Sequence, residues 1–396
     1  MLRQSKLPLL AYLCFAIFQI APLWASTYGP GLLFHKKYDP KPYEANFYMS
    51  FTAGQTDEAY NKNGQAVPFL QEYGNEDLLR QFINPSLDPT NIESLGKLNL
   101  SGHFTFQQLN LYYYKGIHHN LFIAAGTTIQ NIGINSIAMD FELNNTVLTP
   151  EELFNLEIFR SEIPTSINKS GVFNNSIDIG YNNIFTNFNN IDFLHLFVKG
   201  TFSTPQWMTG YNFTMLQYPL AGNITFSYPI TAIISIGILE RISLGFYSLM
   251  IPFQSTDISI PVNRTESNNQ ILLREVTRVR INPKPLFSTV GYVEFYNFLP
   301  SKCMATIGYG YAYGMEWSLF SYNEREFPSE KINNSEILSS WSISSMFFQF
   351  DYDFETEERP QAPCASFMFI MPIAGNLYPK MNIIAGVCNF NITYNF

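Results

Sequence analysis

The sequence predicts an all-β protein: a closed antiparallel transmembrane β-barrel of about 12 strands, with short turns at one end and long loops at the other. Three observations predict it: a composition rich in aromatics and poor in charge, period-two alternation in segment after segment, and links that alternate between short and long. Of 396 residues, 46% are hydrophobic, 16% aromatic and only 14% charged, whereas an ordinary soluble domain carries about a quarter charged residues. With 36 Phe and 24 Tyr the chain is too aromatic to be disordered. Its mean hydropathy of −0.03 fits a wall whose apolar outside averages against a polar inside. The net charge of −9 argues against nucleic acid as a partner, because phosphate binding needs clustered Lys and Arg.

Residues 1–25 read as a secretory signal: Arg3 and Lys6, an apolar run from Leu7 to Leu23, then Ala25 at the expected cleavage site. Pro8 and Pro22 shorten the run below the roughly 20 residues of a helical span. Residues 26–396 are then one barrel domain. Its three cysteines, Cys303, Cys364 and Cys388, cannot close a disulfide framework and match no zinc or redox spacing. The longest later apolar window, Ile230 to Ile238, is too short to cross as a helix, so any crossing uses strands.

Alternation places strands near 44–54, 97–115, 120–140, 172–186, 191–204, 222–237, 240–253, 285–299, 303–320, 340–355, 364–374 and 382–396. In the last, Ile384, Gly386, Cys388, Phe390, Ile392, Tyr394 and Phe396 share one face, while Ala385, Val387, Asn389, Asn391, Thr393 and Asn395 share the other. Ile230, Ile234 and Ile236 oppose Thr231 and Ser235, with Pro229 denying one ladder bond. Phe350, Tyr352 and Phe354 oppose Gln349, Asp351 and Asp353, and Leu194, Leu196 and Val198 oppose His195 and Lys199. In 97–115 the phase slips at Gln107-Gln108, which predicts a bulge or the strand leaving the bilayer. Short links near 116–119, 187–190, 237–239, 300–302 and 356–363 alternate with long ones at 55–96, 141–171, 205–221, 254–284 and 321–339, the exception being the last link on the long side, near Ala374 to Lys380, which is brief. A soluble sandwich has no reason to sort its loops by parity, whereas a transmembrane barrel does. Thr149-Pro150-Glu151-Glu152 predicts a capped helix in one long loop, entering the barrel mouth or lying on its rim. Glu76 to Ile83 is a weaker helix candidate.

An alternating last strand that ends Tyr394-Asn395-Phe396 resembles the C-terminal assembly signal of bacterial outer-membrane β-barrel proteins. The resemblance covers this strand and the export signal, with Phe390, Ile392, Tyr394 and Phe396 as the signal residues. It implies the outer membrane of a Gram-negative-type envelope, outer-membrane lipid around the wall and the barrel-assembly machinery as a partner.

No phosphate loop, metal-spaced cluster or nucleotide fingerprint occurs, so no cofactor, metal or catalytic residue is expected. Neither His103 nor His195 sits in the His-x-Ser-Asn pattern of outer-membrane phospholipases. The candidate functional region is the lumen, with Asp178, His195, Lys199, Arg241, Glu294, Glu316, Asp351 and Asp353 as its charged lining. Such a lining either orders water and ions or pairs off and fills the interior. Arg264, Arg274, Arg278, Arg280 and Lys284 form a basic cluster in an outer loop that could draw anions or lipid phosphate. The expected function is a passive pore for small polar solutes, the competing one a non-conducting surface barrel whose long loops bind a host or partner protein.

Overall fold

A computed structural model describes residues 44–393 apart from 85–86, 88–92, 119, 145–146, 187, 189–190, 205–206, 209–224, 240, 263–271, 273–274, 297–302 and 355–362. The signal segment, Tyr394 and Phe396, and Arg264 and Arg274 of the basic cluster lie outside the described residues, as does the side chain of Ile392.

Twelve wall strands run in chain order: β1 (Glu44–Thr56), β2 (Ser94–His118), β3 (Leu121–Leu143), β4 (Ile167–Phe185), β5 (Phe193–Ser203), β6 (Ile230–Leu239), β7 (Ile242–Ile251), β8 (Leu286–Tyr296), β9 (Cys303–Gly314), β10 (Trp341–Asp353), β11 (Cys364–Asn376) and β12 (Asn382–Thr393). Each pairs antiparallel with the next. β1 pairs with both β2 and β12, from Glu44 opposite Thr393 to Gln55 opposite Asn382, and this closes the cylinder. The 12-strand count and the parity of the links agree with the sequence reading. Links 119–120, 186–192, 240–241, 297–302 and 354–363 lie at one end, and 57–93, 144–166, 204–229, 252–285, 315–340 and the brief 377–381 at the other. Among the described residues no helix is long and apolar enough to cross a membrane.

The burial of the two faces is inverted relative to a soluble protein. Ile177, Ile179, Val198, Ile234, Phe246, Ile307, Tyr309, Phe350, Phe367, Ile384 and Phe390 are exposed, while Ser50, Asp178, His195, Ser235, Ser243, Glu294 and Asp351 are buried. Water would penalise such an arrangement, whereas lipid favours it, because lipid solvates the apolar face and the closed ladder leaves no backbone group unpaired.

Several boundaries differ from the sequence reading. Among the described residues β6 begins at Ile230, just after Pro229, which has no N–H for the ladder; of the expected start, 222–224 lie outside the described residues, and within 225–229 Ser227 bridges to Ser203 and Phe253. β9 ends at Gly314, and Ser318–Ser321 forms a separate strand on Glu275–Asn282, which itself pairs with Thr256–Val262. Glu76 to Ile83 is not a helix but a short strand, Glu76–Leu79, added to the far end of β2, followed by one helical turn, α1 (Arg80–Ile83).

β2 and β3 have 25 and 23 residues, about twice the 9–11 a transmembrane strand needs. No register shift occurs at Gln107-Gln108, so the phase slip marks the strand leaving the bilayer. On the short-turn side, apolar Leu109, Leu111 and Tyr113 face outward to lipid. Beyond it, Leu98, Leu100, Phe104 and Phe106 are buried in a core formed with the 57–83 segment.

The predicted loop helix, α2 (Pro150–Glu162), is present with its full capping box: Glu152 N donates to Thr149 Oγ1 at 3.2 Å, and Thr149 N to Glu152 Oε2 at 2.9 Å. The capping N–H of Thr149 holds the Glu152 carboxyl below the usual carboxylate range. α2 lies on the rim. Phe159 stacks on Phe82 at 5.5 Å and Glu152 pairs with Arg80 at 2.9 Å, and the Arg80 N–H is tied to Glu93 O beside the long-loop end of β2.

Ile234 lies mid-strand on the lipid face, and Ile230 at the strand's outer end. Ile234→Arg should therefore cost roughly 2–4 kcal/mol and Ile230→Arg only about 0–1 kcal/mol. Urea titration of the barrel refolded into lipid measures both, and equal costs would mean that the assigned membrane depth is wrong.

Candidate functional site

The barrel interior is built from the inward residues of all twelve strands. Of the eight predicted lining residues, Asp178, His195, Lys199, Glu294 and Asp351 sit buried on the inner face, and Asp353 is half-buried at the short-turn end of β10. Arg241 does not line the lumen, since it is exposed in the tight turn between β6 and β7, where its carbonyl accepts from Tyr296 N. Glu316 does not either: β9 has ended at Gly314, and Glu316 forms an exposed ion pair with Lys284 at 2.6 Å, which holds its carboxyl below the usual range.

Lys199 Nζ lies 2.7 Å from Asp178 Oδ2 and 5.9 Å from the centre of the Tyr112 ring. Two charges taken out of water persist only because each neutralises the other, and removing one partner would strand its mate. His195 Nε2 meets Asn182 Oδ1 at 2.6 Å and stands opposite Ser235 in register. A Ser–His–Asn row suggests acyl chemistry, but Ser235 is 0% exposed and His195 2%, so no substrate reaches it in this state. At the short-turn end Glu294 Oε2 accepts from Ser243 at 2.6 Å and Tyr296 at 2.7 Å, and Asp351 Oδ1 accepts from Gln349 at 2.9 Å and from Ser366.

Sequence reasoning missed the inward aromatics. Tyr48, Tyr112, Tyr114, Phe122, Phe197, Tyr247, Tyr292 and Phe347 occupy inner positions. Several of these, and Trp341, have their rings against a glycine of a neighbouring strand: Tyr112 at Gly126, Phe122 at Gly180, Tyr292 at Gly245, Phe347 at Gly308 and Trp341 at Gly314. Only a residue without Cβ allows a ring to rest on the wall this way. The signal was present as Gly at positions whose cross-strand partner is aromatic, readable only once the register is known.

The second missed element is the segment from Asp57 to Ile83, which covers the long-loop mouth. Phe69, Leu70, Leu78, Leu79 and Ile83 are buried in one continuous apolar core with the wall aromatics. Phe69 packs on Phe104 at 4.9 Å, and Tyr60 joins Tyr378, Ile343 and Ala312. Leu272 N, from the loop between β7 and β8, approaches Glu76 Oε2 at 3.4 Å. That loop lies six strands around a twelve-strand ring from β1 and β2, so the contact bridges the whole opening. Lys62 pairs with Glu336 and Lys380 with Glu58, each at 2.6 Å.

Of the described members of the outer-loop basic cluster, Arg278 and Arg280 share one carboxylate and Lys284 pairs with Glu316. Arg280 and Arg278 lie 2.8 and 3.8 Å from Asp257 and both stand over the Tyr322 ring, and Arg280 holds the Asp257 carboxyl below its usual range. Part of their charge is therefore engaged within the loop. Among the described residues no group of three or more His, Cys, Asp or Glu is placed to hold a metal ion.

No family model matches the chain, and no curated protein matches it in sequence. In structure it is similar to an outer-membrane channel from Pseudomonas putida F1, at 10% identity over 93% of this chain and 99% of that one, TM-score 0.49. It is also similar to the P. putida toluene transporter TodX, at 7% identity over 89% and 90%, TM-score 0.41. The translocator domain of the autotransporter NalP from Neisseria meningitidis matches at 6% identity over 92% and 91%, TM-score 0.35. At these values the likeness carries nothing about solute or activity.

A methyl group on Gly308 would stand 2.2 Å from the Phe347 ring and 2.8 Å from Gly291 O. Gly308→Ala is expected to cost about 1–3 kcal/mol through overpacking, and Phe347→Leu in the same chain should recover part of it. Urea unfolding of the refolded barrel checks both; additive losses would refute the ring-on-glycine contact.

Proposed function

We propose that the protein is an outer-membrane channel for small polar solutes, inserted with its short turns toward the periplasm and its long loops outward. The observation that carries this reading is the chemistry of the inner face. Asp178 Oδ1, Thr201 Oγ1, Ser203 Oγ, Gln349 Oε1 and Asn389 Oδ1 are buried there without a protein hydrogen-bond partner, and buried polar atoms of that kind are completed by water. A wall that only had to be filled would carry apolar groups at these positions. Passage requires the 57–83 segment to withdraw, so the state described is the closed one.

Planar-bilayer recording tests this directly. A chain with residues 61–75 replaced by a Gly-Ser segment of equal length should show larger and more frequent current steps than the intact protein. Silence in both chains would rule out the channel.

The covered mouth is the one observation that favours the second reading, a surface barrel whose long loops bind a partner protein. Loss of partner adhesion on the same replacement, with no change in current, would favour it. Assembly through the barrel-assembly machinery rests on the terminal strand, whose Phe390 points outward. Removing Phe396 should leave most of the chain outside the membrane fraction, and normal heat-modifiable insertion of the truncated chain would contradict that role.

A further inference from the structure

An aromatic patch faces lipid at the long-loop ends of β5 and β6. Phe202, Phe226 and Tyr228 are exposed, and the Phe202 ring lies 5.6 Å from Phe226 and 5.9 Å from Tyr228. Ser227, between the latter two, is buried on the inner side, so its neighbours point outward. Phe226 O accepts from Gln254 N and Pro252 O from Tyr228 N. Gln254 therefore shares the outer face, where its Oε1 accepts from the Tyr228 hydroxyl at 3.2 Å. Outward aromatics at the ends of wall strands mark the level of the lipid headgroups.

Directly beyond Gln254 lies the three-stranded sheet of Thr256–Val262, Glu275–Asn282 and Ser318–Ser321. One face of it is a buried core of Val262, Val279, Ile281 and Leu319, with Trp317 packed against it. Trp317 meets Phe253 at 6.4 Å, and Phe253 bridges to the inward Ser227, so this face turns toward the barrel axis. The opposite face, with Asp257, Arg278 and Arg280 exposed, turns to the periphery. An open polar cleft of about 660 Å³ joins the two levels, lined by Gln254, Ser255, Thr256, Asp257 and Arg280. Asp257 is three residues past Gln254, at most about 10 Å along the chain, which keeps the arginines within reach of the headgroup layer.

Arg278 and Arg280 stand over the Tyr322 ring at 5.3 and 6.0 Å and share the Asp257 carboxylate. Two guanidinium charges against one carboxylate leave one positive charge in excess among these three groups. Asp257 engages Arg280 through Nε and Nη2, and the aromatic ring helps to hold both planes in place. Neighbouring guanidiniums so held suit the fork geometry of a phosphate oxyanion. We propose that this face binds a phosphorylated lipid of the surrounding leaflet. Its acyl chains lie on Phe202, Phe226 and Tyr228, its polar headgroup enters the cleft at Gln254–Thr256, and its phosphate meets Arg278 and Arg280. The site goes beyond the channel reading and stands whether or not the lumen conducts. Its parts come from segments far apart in the chain, which is why the sequence shows only a basic cluster.

Native mass spectrometry of the full chain, refolded in non-ionic detergent and titrated with dioctanoyl phosphatidic acid, tests the site. Saturable binding of the phosphatidic acid is expected, with dioctanoylglycerol, which lacks the phosphate, binding at least tenfold more weakly. Inorganic phosphate in tenfold excess should not displace the lipid. Arg278→Gln with Arg280→Gln should weaken lipid binding at least tenfold, and Phe226→Ala with Tyr228→Ala several-fold. Lys284→Gln, whose charge is taken up by Glu316, should leave it unchanged. Heat-modifiable migration confirms that each variant is folded. If the double arginine variant fails to fold, Arg278→Gln alone decides, at a side chain 68% exposed, with a several-fold loss expected. Equal affinity for the two lipids would reduce the site to ordinary lipid solvation, and displacement by inorganic phosphate would make it a free-anion site. Either result, or undiminished binding by the folded arginine variants, would overturn the proposal.

Discussion

The structure depends on one constraint: inside a bilayer no water is available to complete a backbone hydrogen bond. β1 meets it by pairing along one edge with β2 and along the other with β12, so that the wall has no open edge. Once the cylinder is closed, period-two geometry dictates the rest of the wall. One side of every strand must suit lipid and the other must suit the interior, which accounts for exposed isoleucines and phenylalanines beside buried serines and carboxylates. Links at one end need only turn the chain and stay short, while those at the other are free to grow.

Within that cylinder the interior is stabilised by three kinds of contact. Rings lie on glycines along the wall, charges are taken up by hydrogen bonds or an opposite charge, and the 57–83 segment covers the long-loop mouth with apolar side chains. The hold of that segment resides in Phe69, Leu70 and their neighbours rather than in its ion pairs. Lys62–Glu336 and Lys380–Glu58 are exposed, and such pairs contribute only about 0–1 kcal/mol each. The cover is also held by backbone pairing, through Glu76–Leu79 on the far end of β2 and Glu58–Tyr60 on Tyr378–Pro379, but none of its residues belongs to the closing ladder.

The wall was legible in the sequence because lipid exposure enforces alternation on one face; the strand containing Phe390 and the strand containing Ile234 were readable residue by residue. The capped start of α2 was legible too, since Thr149 and Glu152 act through local hydrogen bonds. Where a segment leaves the bilayer the rule changes, and β2 beyond Gln108 reads in the opposite phase because its partner is the covering segment. The lumen was legible only in part. Asp178 and Lys199 declare themselves by charge on an inward position, but Arg241 and Glu316 fell in turns one or two residues past a strand end, where parity no longer assigns a face. Phe347 over Gly308 is a contact between strands, invisible until the register is fixed.

The central claim is closure of the cylinder by β1 against β12, and it can be tested covalently. Met49 stands opposite Cys388 on the outer face, so Met49→Cys, with Cys303 and Cys364 changed to Ser, places two thiols across the closing seam. Mild oxidation of the refolded barrel is predicted to give an intramolecular disulfide, seen as a chain that after heat denaturation migrates faster until it is reduced. A folded barrel in which no such bond forms, or in which only intermolecular dimers appear, would contradict the closed wall.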